Sequence, residues 1–82
     1  MSTLSVKQLI ADGSLCLGKP YRQFFRTSNK RTGIFELSMY CIGKRVFIYF
    51  YARLDGSEMP CRSYRVQRST LISDLVNDLK RV

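Results

Sequence analysis

In the stretch Arg45–Leu54, RVFIYFYARL, alternate residues of an extended chain project to opposite sides, which puts Arg45, Phe47, Tyr49, Tyr51 and Arg53 together. Rings bracketed by guanidinium groups suit one kind of chemistry. The rings stack on unpaired nucleobases, at about 1–3 kcal/mol per base, while the cations hold the phosphates. Phosphate contacts add an affinity that falls with salt and carries no sequence preference. Tyr40 and Arg65 fall on the same side of the neighbouring strands, and Lys44 precedes Arg45. Several RNA-binding modules present sheet-borne aromatics in this way. A second cationic group comprises Lys19, Arg22, Arg26, Lys30 and Arg31, with Tyr21, Phe24 and Phe25 interleaved and no acid between Asp12 and Glu36. It reads as a flexible basic arm that grips phosphates, or as an ordinary solvated loop.

Other chemistries lack their residues. The chain has no histidine, which removes serine–histidine and cysteine–histidine catalysis. The six acids are scattered, and Asp55 and Glu58 share a loop without the oxygen ligands of a calcium site. Cys16, Cys41 and Cys61 are an odd number with no C-x-x-C spacing, so neither a disulfide framework nor a zinc site is expected. They read as reduced structural thiols. Cys41, near Lys44 and Arg45, either has the cationic surroundings that lower a thiol pKa or simply fills core. No glycine motif cradles a phosphate. No metal and no cofactor are expected. A nuclease working with Arg, Lys and Tyr alone is the remaining enzymatic option, and the expectation is that the protein is not an enzyme.

The elements that must position these residues follow from local patterns. Ser5-Val6-Lys7-Gln8 is a capping box, with Leu4 and Leu9 as its hydrophobic staple, and Gly13 supplies a left-handed stop after about two turns. Residues 14–31 read as irregular, with a short strand around Tyr21–Arg26 and a turn at Thr27-Ser28-Asn29-Lys30. Strands are expected over Ile34–Ile42, Arg45–Leu54 and Arg62–Arg68, rich in β-branched and aromatic residues. Gly43-Lys44 makes a tight hairpin, and Asp55–Pro60 a longer loop. Ser69 or Thr70 caps a final helix with Leu71, Ile72, Leu75, Val76 and Leu79 as its apolar stripe. Asp74, Asn77 and Asp78 fall on its wet side. The fold class is therefore α+β: a three- or four-stranded antiparallel sheet, a short N-terminal helix, and a C-terminal helix packed on one face.

Val46, Ile48, Phe50, Ala52 and Leu54 form a purely apolar side that matches the C-terminal stripe. Phe35, Leu37, Met39 and Cys41 continue it, as do Tyr64 and Val66. The opposite side carries the rings and guanidiniums, with two outcomes open. It faces water, or the N-terminal helix and residues 14–31 cover Phe47, Tyr49 and Tyr51 as a second small core. Exposed rings also mark protein interfaces, including that of a homodimer.

Eighty-two residues make one domain, 1–82, with a single modest core. Apolar residues make up 45%, against disorder, and the net charge of +8 attracts polyanions. A charge of that size is also ordinary for solubility. The start MSTLSVKQLI lacks signal-peptide character, and no apolar run approaches the ~20 residues of a membrane span. A cytoplasmic protein without membrane association is expected, of a cell or of a phage or virus that infects one.

Gly18-Lys19-Pro20-Tyr21 is similar to a string near the start of filamentous-phage single-stranded-DNA-binding proteins, which are small all-β chains. The C-terminal helix departs from that pattern. The order of three strands and a closing helix over residues 32–82 looks like the arm-site DNA-binding domains of tyrosine recombinases. Neither likeness assigns the chain to a family. The expected function is nucleic-acid binding, with DNA and RNA, and single and double strands, equally open. The alternative is a protein-binding module, such as a small phage or viral inhibitor that docks its basic surface on an acidic host protein.

Overall fold

The computed structural model describes residues 4–82; Met1–Thr3, part of the segment read as lacking signal-peptide character, lie outside them. The elements are α1 (Val6–Ala11), β1 (Tyr21–Arg26), β2 (Thr32–Ile42), β3 (Arg45–Leu54), β4 (Arg62–Val66) and α2 (Ile72–Leu79). The strands form one antiparallel meander in the order β1-β2-β3-β4. The α+β architecture read from the sequence is the one observed, with β1 as the fourth strand.

The local signals act as their chemistry requires. Ser5 caps α1: its Oγ accepts from the Gln8 N–H, and its own N–H donates to Gln8 Oε1 at 2.7 Å. Gly43 (φ 62) and Lys44 alone join β2 to β3. Positive φ at the first central residue only is the type II′ turn, whose twist suits a hairpin. The short strand expected at Tyr21–Arg26 forms as the edge strand β1, so the middle of the basic segment is held in the sheet rather than being a flexible arm. Arg22, for example, is paired in register with Glu36 and Phe24 with Ile34. The turn after β1 closes through the Thr27 hydroxyl, which accepts from the Arg31 N–H at 3.1 Å, and Ser28 Oγ donates to the Lys80 carbonyl at 2.8 Å.

The start of α2 differs from expectation. The N-cap is Leu71, which makes no side-chain cap bond, rather than Ser69 or Thr70. The Thr70 hydroxyl is taken by the Gln67 N–H, which turns the chain after Val66 and ends β4 two residues before the expected Arg68. A helix start leaves N–H groups without intrahelical partners. Here the Ile72 N–H donates to the Leu4 carbonyl at 2.9 Å, while the Val6 and Lys7 N–H groups donate to the Thr70 and Arg68 carbonyls. Backbone from the far end of the chain does the work of a cap, and it stitches the two helix starts together.

Both helices pack on the same side of the sheet. Val6 and Leu9 of α1 and Ile72, Leu75 and Leu79 of α2 join Phe35, Leu37, Ile48, Phe50, Ala52, Leu54 and Val66 in one buried cluster. Leu15, in the loop after α1, is fully buried among them. Gly33 lets β1 and β3 close over this layer: a Cβ there would run into the Arg53 carbonyl oxygen and stand 2.8 Å from the Phe25 ring. The Cα envelope measures 40 × 32 × 16 Å, thick enough for one sheet and one layer of helices. No helix among the described residues is long and apolar enough to cross a membrane.

Asp78 is not the simple solvated acid that its helix position suggests. Arg62 Nε donates to its carboxylate at 2.8 Å, and the Tyr64 hydroxyl donates to the same oxygen at 3.0 Å. The Arg62 guanidinium holds the Asp78 carboxyl below its ordinary value of 3.8. Partial burial, with the Asp78 bond second, pushes the Tyr64 phenol from 10.0 up to about 12. A phenol raised in the folded state stabilises fully below its unfolded value, and that stability disappears as pH rises past it. The melting temperature is therefore expected to fall between pH 10 and about 12. Tyr64→Phe should flatten that part of a pH series followed by circular dichroism; an unchanged decline would assign it to other groups.

Candidate functional site

With both helices on one side, the other side of the sheet faces solvent. Its residues are fixed by register. Across β1, β2 and β3 run the rows Phe24–Ile34–Arg53 and Arg22–Glu36–Tyr51, the second reaching Ser63 of β4. Next come Ser38–Tyr49–Arg65 across β2, β3 and β4, then Tyr40–Phe47, then Ile42–Arg45 at the hairpin end. The alternative in which the N-terminal helix seals Phe47, Tyr49 and Tyr51 is not what forms. Tyr49 and Tyr51 are each 38% exposed and Tyr40 is 50% exposed. Phe47 is half-buried, with the Arg65 guanidinium carbon 5.3 Å from its ring centroid. At that distance the cation is attracted by the ring face.

The charge on this face is one-sided. Glu36 is the single acid in the four strands, against Arg22, Arg26, Arg45, Arg53 and Arg65 on the same side. Arg22 Nε donates to Glu36 Oε2 at 2.7 Å and Ser38 Oγ to Oε1 at 2.9 Å, which together hold the Glu36 carboxyl below its ordinary value, the Arg22 bond being the larger cause. Among the described residues the ion pairs are this one and Arg62–Asp78, so Arg26, Arg45, Arg53 and Arg65 carry no carboxylate partner. Cations with no internal partner on an open surface are available to an external anion.

The remaining predicted residues are divided between the two ends of the sheet. Lys44 lies on the β2–β3 turn, next to Arg45. Lys19 lies in the turn before β1, where it lines a groove of about 320 Å³ with Pro20, Ser38 and Tyr40. Lys30 (φ 64) and Arg31 lie on the β1–β2 turn at the opposite end, beyond the row Arg26–Thr32, and do not join the rings. Two residues of the face were not anticipated as site members. Phe24 is 76% exposed, opposite Ile34, with Arg53 one strand further on, and Glu36 sits at the centre. Alternation in β1 around the buried Phe25 was the signal for Phe24. The reading of residues 14–31 as mainly irregular obscured it.

The thiols are unpaired, and Cys16 and Cys41 are exposed rather than filling core; Cys41 donates to the Gly43 carbonyl at 3.4 Å. Among the described residues no three of Cys, Asp and Glu gather as a metal-holding group. The fold and this face together define a small α+β domain with one helix-covered and one open, cationic and aromatic sheet surface. No protein-family model, curated protein or solved structure matches the chain.

Proposed function

We propose that this protein is a non-enzymatic nucleic-acid-binding domain that engages its ligand with the open face of the sheet. The observation that supports it is the placement of both helices on the opposite side, which leaves Tyr40, Tyr49, Tyr51 and four unpaired guanidiniums in solvent. Arg45 and Arg53 hold phosphates at the two ends of β3. Tyr49 and Tyr51 stack on bases between them. Arg65 serves a phosphate as well as the Phe47 ring. Lys44 and Lys19 extend the cationic surface at the hairpin end, and Arg26, Lys30 and Arg31 at the other. A reducing compartment such as the cytoplasm fits three unpaired thiols, two of them exposed.

The test is a salt series with labelled oligonucleotides. Affinity is expected to fall linearly on a log–log plot, with Arg45→Ala and Arg53→Ala each reducing the slope by about 1, the value for one lost phosphate contact. Oligonucleotides that stay unbound at low salt would overturn the reading. A second reading, docking on an acidic protein, draws on Phe24 at 76% and Ile42 at 68% exposure on the margins of the same face. Apolar residues of this kind serve a protein interface better than a phosphate backbone. That reading predicts no oligonucleotide shift at low salt and loss of partner binding on Phe24→Ala.

A further inference from the structure

A groove of about 380 Å³ opens on the sheet face between Arg22, Ile34, Glu36, Tyr51 and Arg53. Glu36 and Tyr51 are register partners, and so are Ile34 and Arg53. Side chains directly opposite each other on one face lie about 5 Å apart, so the carboxylate stands beside the ring. Ile34 gives the groove an apolar wall.

The position of Glu36 requires a reason. A carboxylate in the middle of a phosphate-binding face repels phosphate. Here Arg22 neutralises it, and each of its oxygens receives one internal bond, from Arg22 Nε and from the Ser38 hydroxyl. A carboxylate oxygen has two lone-pair sites, so both oxygens keep an acceptor position. The group is ionised and cannot donate. A ligand can therefore meet it only with a hydrogen-bond donor. The exocyclic amino groups of cytosine, adenine and guanine are such donors, and a carboxylate accepting from cytosine N4 is an established pairing. Thymine and uracil present a carbonyl oxygen where cytosine has its amino group, and their one edge donor, N3–H, is flanked on both sides by carbonyl oxygens that repel a carboxylate.

The rings on β3 restrict the form of the ligand. Phe47, Tyr49 and Tyr51 are spaced two residues apart, which in an antiparallel strand is about 6.8 Å. Stacked bases in a duplex strand are about 3.4 Å apart. A chain laid along β3 with one base per ring is stretched and unstacked. Paired bases also have their amino groups and faces already engaged.

We infer that the groove at Glu36 and Tyr51 is a base subsite for single-stranded nucleic acid that selects a base carrying an exocyclic amino group. The inference rests on the nucleic-acid reading of the face. The base stacks on Tyr51, its amino edge donates to Glu36, and Arg53 takes an adjoining phosphate.

The experiment titrates labelled oligocytidine and oligothymidine or oligouridine of equal length, as DNA and as RNA, and a mixed-sequence duplex, by fluorescence anisotropy at low salt. The wild-type chain is expected to bind the cytosine strand about fivefold more tightly than the thymine or uracil strand, the low end of the discrimination given by one base-edge contact. Glu36→Gln puts an amide there that can donate as well as accept, and should bring the ratio close to one. Equal wild-type affinities, a cytosine ratio unchanged in Glu36→Gln, or a duplex bound as tightly as the cytosine strand would each overturn the subsite while leaving nucleic-acid binding in place. Absence of binding to every oligonucleotide would overturn both. The wild-type ratio decides the matter even where the variant folds poorly.

Discussion

Replacing Tyr49 and Tyr51 together by alanine is expected to weaken single-strand binding about a thousandfold while leaving the domain folded. Two stacked bases at about 2 kcal/mol each give about 4 kcal/mol, and each 1.4 kcal/mol is tenfold in affinity. The structural cost should be small. Both rings stand on the open face, more than a third exposed, and neither belongs to the buried cluster. Surface substitutions of this kind change stability by about 0.5 kcal/mol. The measurement is an anisotropy titration beside a thermal melt. The salt slope provides an internal contrast. Losing the rings removes no phosphate contact, so the slope should stay at its wild-type value while the affinity drops. Arg45→Ala and Arg53→Ala are instead expected to lower the slope along with the affinity. A folded double variant with undiminished affinity would mean that the rings do not stack, and that the guanidiniums alone hold the ligand.

Phe35→Ala is expected to destabilise the fold by about 4 kcal/mol. Phe35 is fully buried, and its ring centroid lies 5.7 Å from that of Phe50, 6.3 Å from Tyr21 and 6.5 Å from Phe25. It connects the rings of β1 and β3 beneath the helices. Removing a buried phenyl group forfeits its transfer free energy and leaves a cavity that the neighbours fill only in part, at a cost of roughly 3–5 kcal/mol. At about 0.05–0.15 kcal/mol per residue, a chain of this length holds only roughly 4–12 kcal/mol in all. The urea midpoint should therefore move by a third of its value or more. Phe24→Ala is the control on the adjacent strand. Its ring is 76% exposed on the other face, and its loss should change stability by less than about 0.5 kcal/mol. Comparable losses in the two variants would contradict the assignment of sides in β1 and β2.

Much of the site was legible because its residues lie on strands with clear alternation. Tyr40, Phe47, Tyr49, Tyr51, Arg45, Arg53 and Arg65 share a face as period two requires. Phe24 and Glu36 share it too by the same alternation, but their residue types do not single them out as ligand-binding groups. Phe24 sits midway between Arg22 and Arg26 in a segment with Gly18 and Pro20 nearby, where a strand signal is weak. Glu36 acquires its role from Arg22 on another strand, fourteen positions earlier in the chain. Alternation groups Cys41 with the apolar side of β2, where core filling and a place beside Lys44 and Arg45 are both open. It is exposed, as is Val46, its register partner near the hairpin end of the helix-covered side.

The chain by itself determined the two sides of each strand, the cap on α1, the Gly43 turn and the strong positive charge. These depend on dihedral preferences, on residues a few positions apart, or on simple addition. Tertiary structure decided which side the helices cover, where α2 begins and which cations stay unpaired. Alternation separates two faces without saying which one is wet. That follows from where the greatest apolar area can be buried: Ile48, Phe50, Ala52 and Leu54 match the stripes of both helices, whereas Tyr49, Tyr51 and Arg53 would carry polar groups out of water. The Leu4 carbonyl capping α2 and the Arg22–Glu36 pair likewise join residues far apart in sequence, and only the folded chain brings them within hydrogen-bonding distance.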